Sequence, residues 1–372
     1  MRDPVQPNPM DAYRPYRRTE FNLEGASQQP LPLDVRGGPG ARLLRPPPSP
    51  LRHATPPGPP PPPRADWGYH RSLSRYLGNV ANLPQSGIMA TLCVPLAYLT
   101  VETVLVVAYA DAGARGVLPQ VLPRLPDFGL APFELTAFAL SLLLGFRTNM
   151  AFDRWNQGRE AFSRLAANCR SAARIASVQV EAERDARAVL SWVEAYMCAC
   201  TARLREDGDV AGSLSGCGLP GGEADRAAAS PNPGLYCLRG LGERVLASKT
   251  RTPWAPAVLG DLMIEMERDF AACESLLTHP TPLFYTHHAA RFLVIWLGLL
   301  PFGLVTRLGW QAILAEPVVA FALLGIDEIG MQLEEPFGIL PLESATDRVA
   351  SDIDMLLESR RGARGAGLEV GS

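Results

Sequence analysis

An all-α fold that crosses a membrane four times, with a large helical domain outside the lipid, is what this sequence predicts. Three observations predict it. The apolar residues of the ordered part gather in four blocks. One block sits in FELTAFALSLLLGFRTNMAFDRWNQGREAF, Phe133 to Phe162, and turns basic and polar within one turn at Arg147, the pattern of a helix that leaves lipid and continues into water. Beyond the blocks, apolar residues recur at helical spacing, as in GDLMIEMERDFAACESLL.

Taken in order, residues 1–66 come first. They hold 18 of the 35 prolines and end in PPGPPPPPR. Such a composition favours extended, disordered chain that buries no core. Nine arginines against five acids before Ala65 suit an organelle transit peptide, whereas two serines and an early Asp3 do not. The proline run also suits an SH3-like docking partner, with a plain solvated tail as the simpler reading. Trp67 to Gln85 is amphipathic, and Trp67, Tyr69 and Tyr76 suit a membrane-surface belt.

The spans are expected near 88–110, 131–149, 289–308 and 310–331. Glu102 lies in the first and Glu316 in the last. An acid inside a span is a functional candidate by default; the plainer reading is a hydrogen bond to a neighbouring helix. From Arg147 one helix is expected to continue to about Arg205. Its Arg147, Arg154, Arg159, Arg164, Arg170 and Arg174 outnumber Asp153 and Glu160. They read either as a solvated face laced with i,i+4 pairs or as a positive field that gathers anions. Residues 206–233 read as a flexible loop. His279-Pro-Thr-Pro282 ends the next helix. Residues 67–360 form the main domain, and 361–372 a frayed tail. Four crossings place both termini on one side, and the arginines place that side and the helical domain toward the cytosol or its equivalent.

Charge and motifs exclude several functions. A net charge of −3 argues against a nucleic-acid binder driven by bulk charge. No nucleotide cradle, GxSxG elbow or HExxH appears, so neither enzyme chemistry nor a cofactor is expected. The seven cysteines form no CxxC pair and read as free structural thiols. His287 and His288 are adjacent and point about 100° apart, so they do not clamp a metal as an i,i+4 pair would. Asp327-Glu328 and Glu334-Glu335 have no convergent histidine or nucleophile, which leaves catalysis unsupported.

Phe138, Leu142 and Phe146 recur at i, i+4 and i+8 on the apolar half of the central stretch, and stack along one helical face. Such a face either packs against neighbouring helices or lines an ion pore. Here a resemblance enters. LLLGFRTNMAFDRWNQGREAF, RFLVIWLGLLPFGLV and LLGIDEIGMQLEEPFGILPLE resemble, in order, the second-span exit, the third span and the fourth-span end of the bestrophin family, closest to its plant and algal members. The matches cover about Trp67 to Leu357.

The resemblance implies a homopentameric channel for chloride and other small anions, with bicarbonate a further candidate. Its hydrophobic neck falls on Phe138, Leu142 and Phe146, with Arg147 and Arg154 at the pore exit. A second constriction falls near Trp254 and Val258. It also implies a thylakoid membrane. Animal members follow their PFG motif with an acidic calcium clasp; here Ile-Leu-Pro-Leu-Glu follows Gly338, too few oxygens for calcium, so calcium-independent gating is expected. The rival readings are a cation pore of the bacterial kind, favoured if Glu102 or Glu316 faced the lumen, and a non-conducting membrane scaffold subunit.

Overall fold

The computed structural model describes residues 87–117, 119, 123, 129–205 and 208–365. The expected tail over 1–66, the surface helix over Trp67–Gln85 and residues 366–372 lie outside the described residues. Among the described residues there are eleven α-helices and no strand. They are α1 (Gly87–Ala114), α2 (Ala131–Gln179), α3 (Glu183–Leu204), α4 (Val210–Ser215), α5 (Glu223–Ala229), α6 (Pro233–Ala247), α7 (Ala255–Thr278), α8 (Leu283–Leu308), α9 (Ala312–Glu334), α10 (Pro336–Ile339) and α11 (Leu342–Gly365). A 3₁₀ turn, Gly309–Gln311, joins α8 to α9.

Two hydrophobic cores result, one at each end of α2. The first joins α1, the start of α2, α8 and α9 through Leu99, Leu140, Leu144, Leu293, Leu297, Leu300 and Ala320. Three stretches at this end are long and apolar enough to cross a membrane: Ile88–Ala114, part of Ala131–Gln179, and Phe284–Glu334, which contains both α8 and α9. The interior side of α9 is set by Ala312, Glu316 and Ala320, all buried one turn apart. Two of these are small, so neighbouring backbones approach closely. At Gly303 an added methyl would lie 2.7 Å from the Phe133 ring and 2.9 Å from the Gly129 carbonyl. Phe133 in turn meets Trp296 edge to face at 5.6 Å, and the Trp296 indole donates to Thr136 Oγ1 at 3.0 Å.

The second core packs the rest of α2 against α3, α6, α7 and α11, around Leu165, Cys169, Tyr196, Met197, Leu241, Met266 and Phe270. α7 runs antiparallel to α2. Arg154 reaches Leu276, Arg164 and Asn168 hold Asp269, and Gln179 meets Thr252. Gly240 admits the Trp192 ring, which a methyl there would meet at 2.5 Å.

Three expectations are corrected. The long helix after Arg147 does not run unbroken to Arg205: it stops at Gln179 and restarts at Glu183. Val180 forms an isolated antiparallel bridge with Thr250, Arg360 donates to the carbonyls of Ser177, Val180 and Glu181, and Glu183 and Asp185 favour a new helix start. The described part of 206–233 is not a plain loop. It carries α4, capped by Asp209 accepting from the Gly212 N–H, and α5, and it buries Leu214, Cys217 and Ala227. The expected tail from residue 361 begins inside α11, which reaches Gly365.

Candidate functional site

Helix α2 carries the predicted neck. Leu140 and Leu144 face inward and are fully buried against α8 and α9. Phe138, Leu142 and Phe146 face the other way, 75%, 45% and 57% exposed in the single chain. Three large apolar side chains therefore stand on one open face. The same face continues down the helix through Asn149, Asp153, Ser163, Ala167, Arg174 and Val178, all exposed. It changes from apolar to polar after Phe146, where the sequence turns basic.

Arg147 and Arg154 are not free cations at an exit. Arg147 is 2% exposed. Its guanidinium binds the Asp327 carboxylate and lies 3.7 Å from Glu334. Arg154 donates to the Glu334 carbonyl at 2.8 Å, the His279 carbonyl at 2.9 Å and the Leu276 carbonyl. These carbonyls end α9 and α7, so one arginine caps two helix C-termini. Burial lowers the Arg154 pKa from its ordinary value, with Glu334 and Glu335 opposing the change. Three of the other four arginines are also engaged. Arg159 meets Asn156 and lies over the Trp155 ring. Arg164 pairs with Asp269 at 3.0 Å and Arg170 with Asp352 at 2.5 Å. Arg174 is exposed. The charge that looked like an anion field is spent largely within the chain.

Trp254 and Val258 stand at the start of α7, beside Gln179, at the far end of α2 from Phe146. Trp254 is 52% exposed and Val258 partly so. They are thus remote from the neck along the helix axis. Glu316 is fully buried and its Oε2 accepts from Thr103 at 3.3 Å. Glu102 is half-buried, with Oε2 about 4.0 Å from where a Gly298 methyl would sit. Both acids therefore lie at the α1–α8–α9 contact, where Glu316 meets Thr103 and the buried Glu102 Oε2 has no hydrogen-bond partner among the described residues.

Sequence reasoning missed the residues that hold α2 in place. Asp327 and Glu334 had been weighed only as acids in adjacent pairs. Their seven-residue spacing, which puts both on one face of α9, was the available signal. Tyr285 also donates to the Leu143 carbonyl at 3.2 Å.

With that geometry in place, comparison with known proteins is direct. The family model for bacterial/fungal bestrophin proteins matches residues 67–355. The chain is 29% identical over 299 residues to the chloroplastic voltage-dependent chloride channel 2 of Arabidopsis thaliana, covering 79% of this chain and 72% of that one. It is 31% identical over 234 residues to a voltage-dependent anion channel-forming protein of Nostoc, covering 60% and 76%. In fold it is similar to a solved bestrophin homologue from Klebsiella pneumoniae, with a TM-score of 0.64 at 20% identity, covering 72% of this chain and 98% of that one. A helical rod with an apolar open face and buried arginine clamps, matched over most of its length by one family model, belongs to the bestrophin family.

Proposed function

We propose that this chain is one protomer of a homopentameric anion channel that crosses a membrane four times, through α1, the start of α2, α8 and α9. Five copies turn the open face of α2 toward a shared axis. Phe138, Leu142 and Phe146 then form three stacked apolar rings, a neck that shuts by dewetting and passes ions when it widens. Phenylalanine edges carry partial positive charge and favour a passing anion. Trp254 and Val258 form a second constriction at the other end of α2. Chloride is the principal ion and bicarbonate a further one.

The observation that carries the reading is the open apolar face of α2. Large apolar side chains stand outward at one turn's spacing where the opposite side of the helix is sealed. Anion rather than cation passage is supported by the relatives named as chloride and anion channels and by Glu316, which is fully buried within the chain against Thr103. Calcium-independent gating is supported by Glu343, the first acid after the Pro336–Ile339 turn, which binds Arg205 through both oxygens at 2.7 and 2.5 Å. A chloroplast placement rests on the chloroplastic name of the Arabidopsis relative, and the thylakoid is the membrane the family resemblance favours; imaging a tagged chain in its own cells tests both.

Conductance in liposomes under a salt gradient tests the channel. Reversal near the chloride potential is expected, and the combined Phe138→Ala, Leu142→Ala and Phe146→Ala variant raises the open fraction. Reversal near the cation potential favours the cation pore. Silence from both proteins favours the scaffold. Calcium chelation is expected to leave the current unchanged.

A further inference from the structure

We infer that Arg147 is a positioning residue for the neck: its buried pairing with Asp327 and Glu334 fixes the rotation of α2 and so the direction in which Phe146 points. This rests on the channel reading above and adds what holds the neck to width.

Neighbouring residues on a helix project about 100° apart. Phe146 stands on the open face and Arg147 points into the protein. If Arg147 is fixed, Phe146 is fixed with it. The fixing rests on one hydrogen bond, to Asp327, since the Arg147 Nε has no hydrogen-bond partner among the described residues. Arg147 binds Asp327, with Glu334 at 3.7 Å on the same face of α9. A planar guanidinium meets carboxylates only in a narrow set of orientations, whereas a lysine ammonium swivels. One turn earlier, Tyr285 on α8 holds the Leu143 carbonyl. Two turns later, Arg154 holds the Glu334 carbonyl, so Glu334 is itself located from α2. At Gly158 a methyl would lie 3.1 Å from Pro336, which brings the end of α9 close against the same helix.

The contacts on either side bear on backbone carbonyls or on packing. The Arg147 cluster is the one that acts through side-chain charge next to the ring. Arg147 has no access to the lumen and touches no ion; it acts through Phe146. Breaking the pairing leaves α2 assembled but less fixed in rotation at Phe146, and a less rigid ring admits larger anions.

The test uses the full chain in liposomes and reads iodide and thiocyanate permeability relative to chloride, with assembly checked by size-exclusion chromatography. Asp327→Asn and Arg147→Lys are expected to keep the wild-type oligomer and to raise the large-anion ratio several-fold. The exchanged pair, Arg147→Asp with Asp327→Arg, returns the ratio toward wild type. Glu334→Gln, at the looser contact, shifts it less and in the same direction, and serves where Asp327→Asn fails to assemble. Unchanged ratios in Arg147→Lys and Glu334→Gln beside a conducting wild type overturn the positioning role alone. A silent wild type overturns the channel reading instead.

Discussion

Leu142 and Leu165 lie on the same helix, yet their surroundings differ completely. Leu142 stands on an open face among other exposed apolar side chains, while Leu165 is fully buried in the core that joins α2, α3 and α7. The contrast extends to the two ends of the molecule. Around α1, large apolar residues such as Val94, Tyr98, Val101 and Leu105 point outward, and the interior contains Thr103, Glu316 and, at its inner edge, Arg147. Around α3 the order is reversed: Val189, Leu190, Val193 and Met197 are buried, and arginines such as Arg187 and Arg203 lie outside. An outward apolar surface is favourable where the surroundings are lipid, and cohesion there comes from close packing of small residues and from polar contacts. In water, burial of apolar surface is the main stabilising term. One helix carries both patterns, and the change falls at Arg147.

Matched substitutions would break the comparison most clearly. Leu165→Ala is expected to cost about 2–5 kcal/mol by removing buried methyls and leaving a cavity, whereas Leu142→Ala stays within about 1 kcal/mol. Thermal unfolding of the detergent-solubilised protein measures both, and equal losses would mean that the open face is buried in the assembly. Gly240→Ala comes next. Its methyl would collide with the Trp192 ring, and overpacking of this kind costs about 1–3 kcal/mol.

A smaller effect concerns the junction of α3 and α11. Burial alone would push Glu343 up, but the hydrogen bonds and charge of Arg205, together with a backbone hydrogen bond, outweigh it and hold its carboxyl below the ordinary value. The stability it contributes is present at neutral pH and is lost as pH falls through that lowered value. Unfolding midpoints at neutral and acidic pH should therefore converge between wild type and Glu343→Gln on acidification. Smallest is a labelling difference. Burial pushes the Cys237 and Cys273 thiols up to about 12, so at mildly alkaline pH they stay protonated and unreactive. Cys169 and Cys200 are pushed up in the same way. A thiol reagent should reach these four only after unfolding.

Much of this was legible from local pattern. The helical spacing of Phe138, Leu142 and Phe146 gave the open face, because residues on one face of a helix depend on nothing beyond the helix. The two prolines after His279, Pro280 and Pro282, marked where α7 must end. What remained hidden depends on partners far away in sequence. Arg147 and Asp327 are 180 positions apart, as are Arg154 and Glu334, and a basic run looks the same whether its partners are water or buried acids. The break after Gln179 is fixed by Thr250 and Arg360, distant partners, and the only local sign of it is the acidic pair Glu183 and Asp185 at the restart. In 206–233, glycines and serines looked like a loop, while Leu214 and Ala227 found a core that only the fold supplies.

The unbroken course of α2 over 49 residues has a mechanical meaning. At about 1.5 Å per residue such a rod is roughly 74 Å long, so tilting it by about 1° swings its far end by roughly 1.3 Å. A small push beside Gln179 would arrive at the opposite end as a displacement comparable to an atomic radius. Anything that leans on α7 or α11 thus has a lever on the Phe138–Phe146 face without ever approaching it.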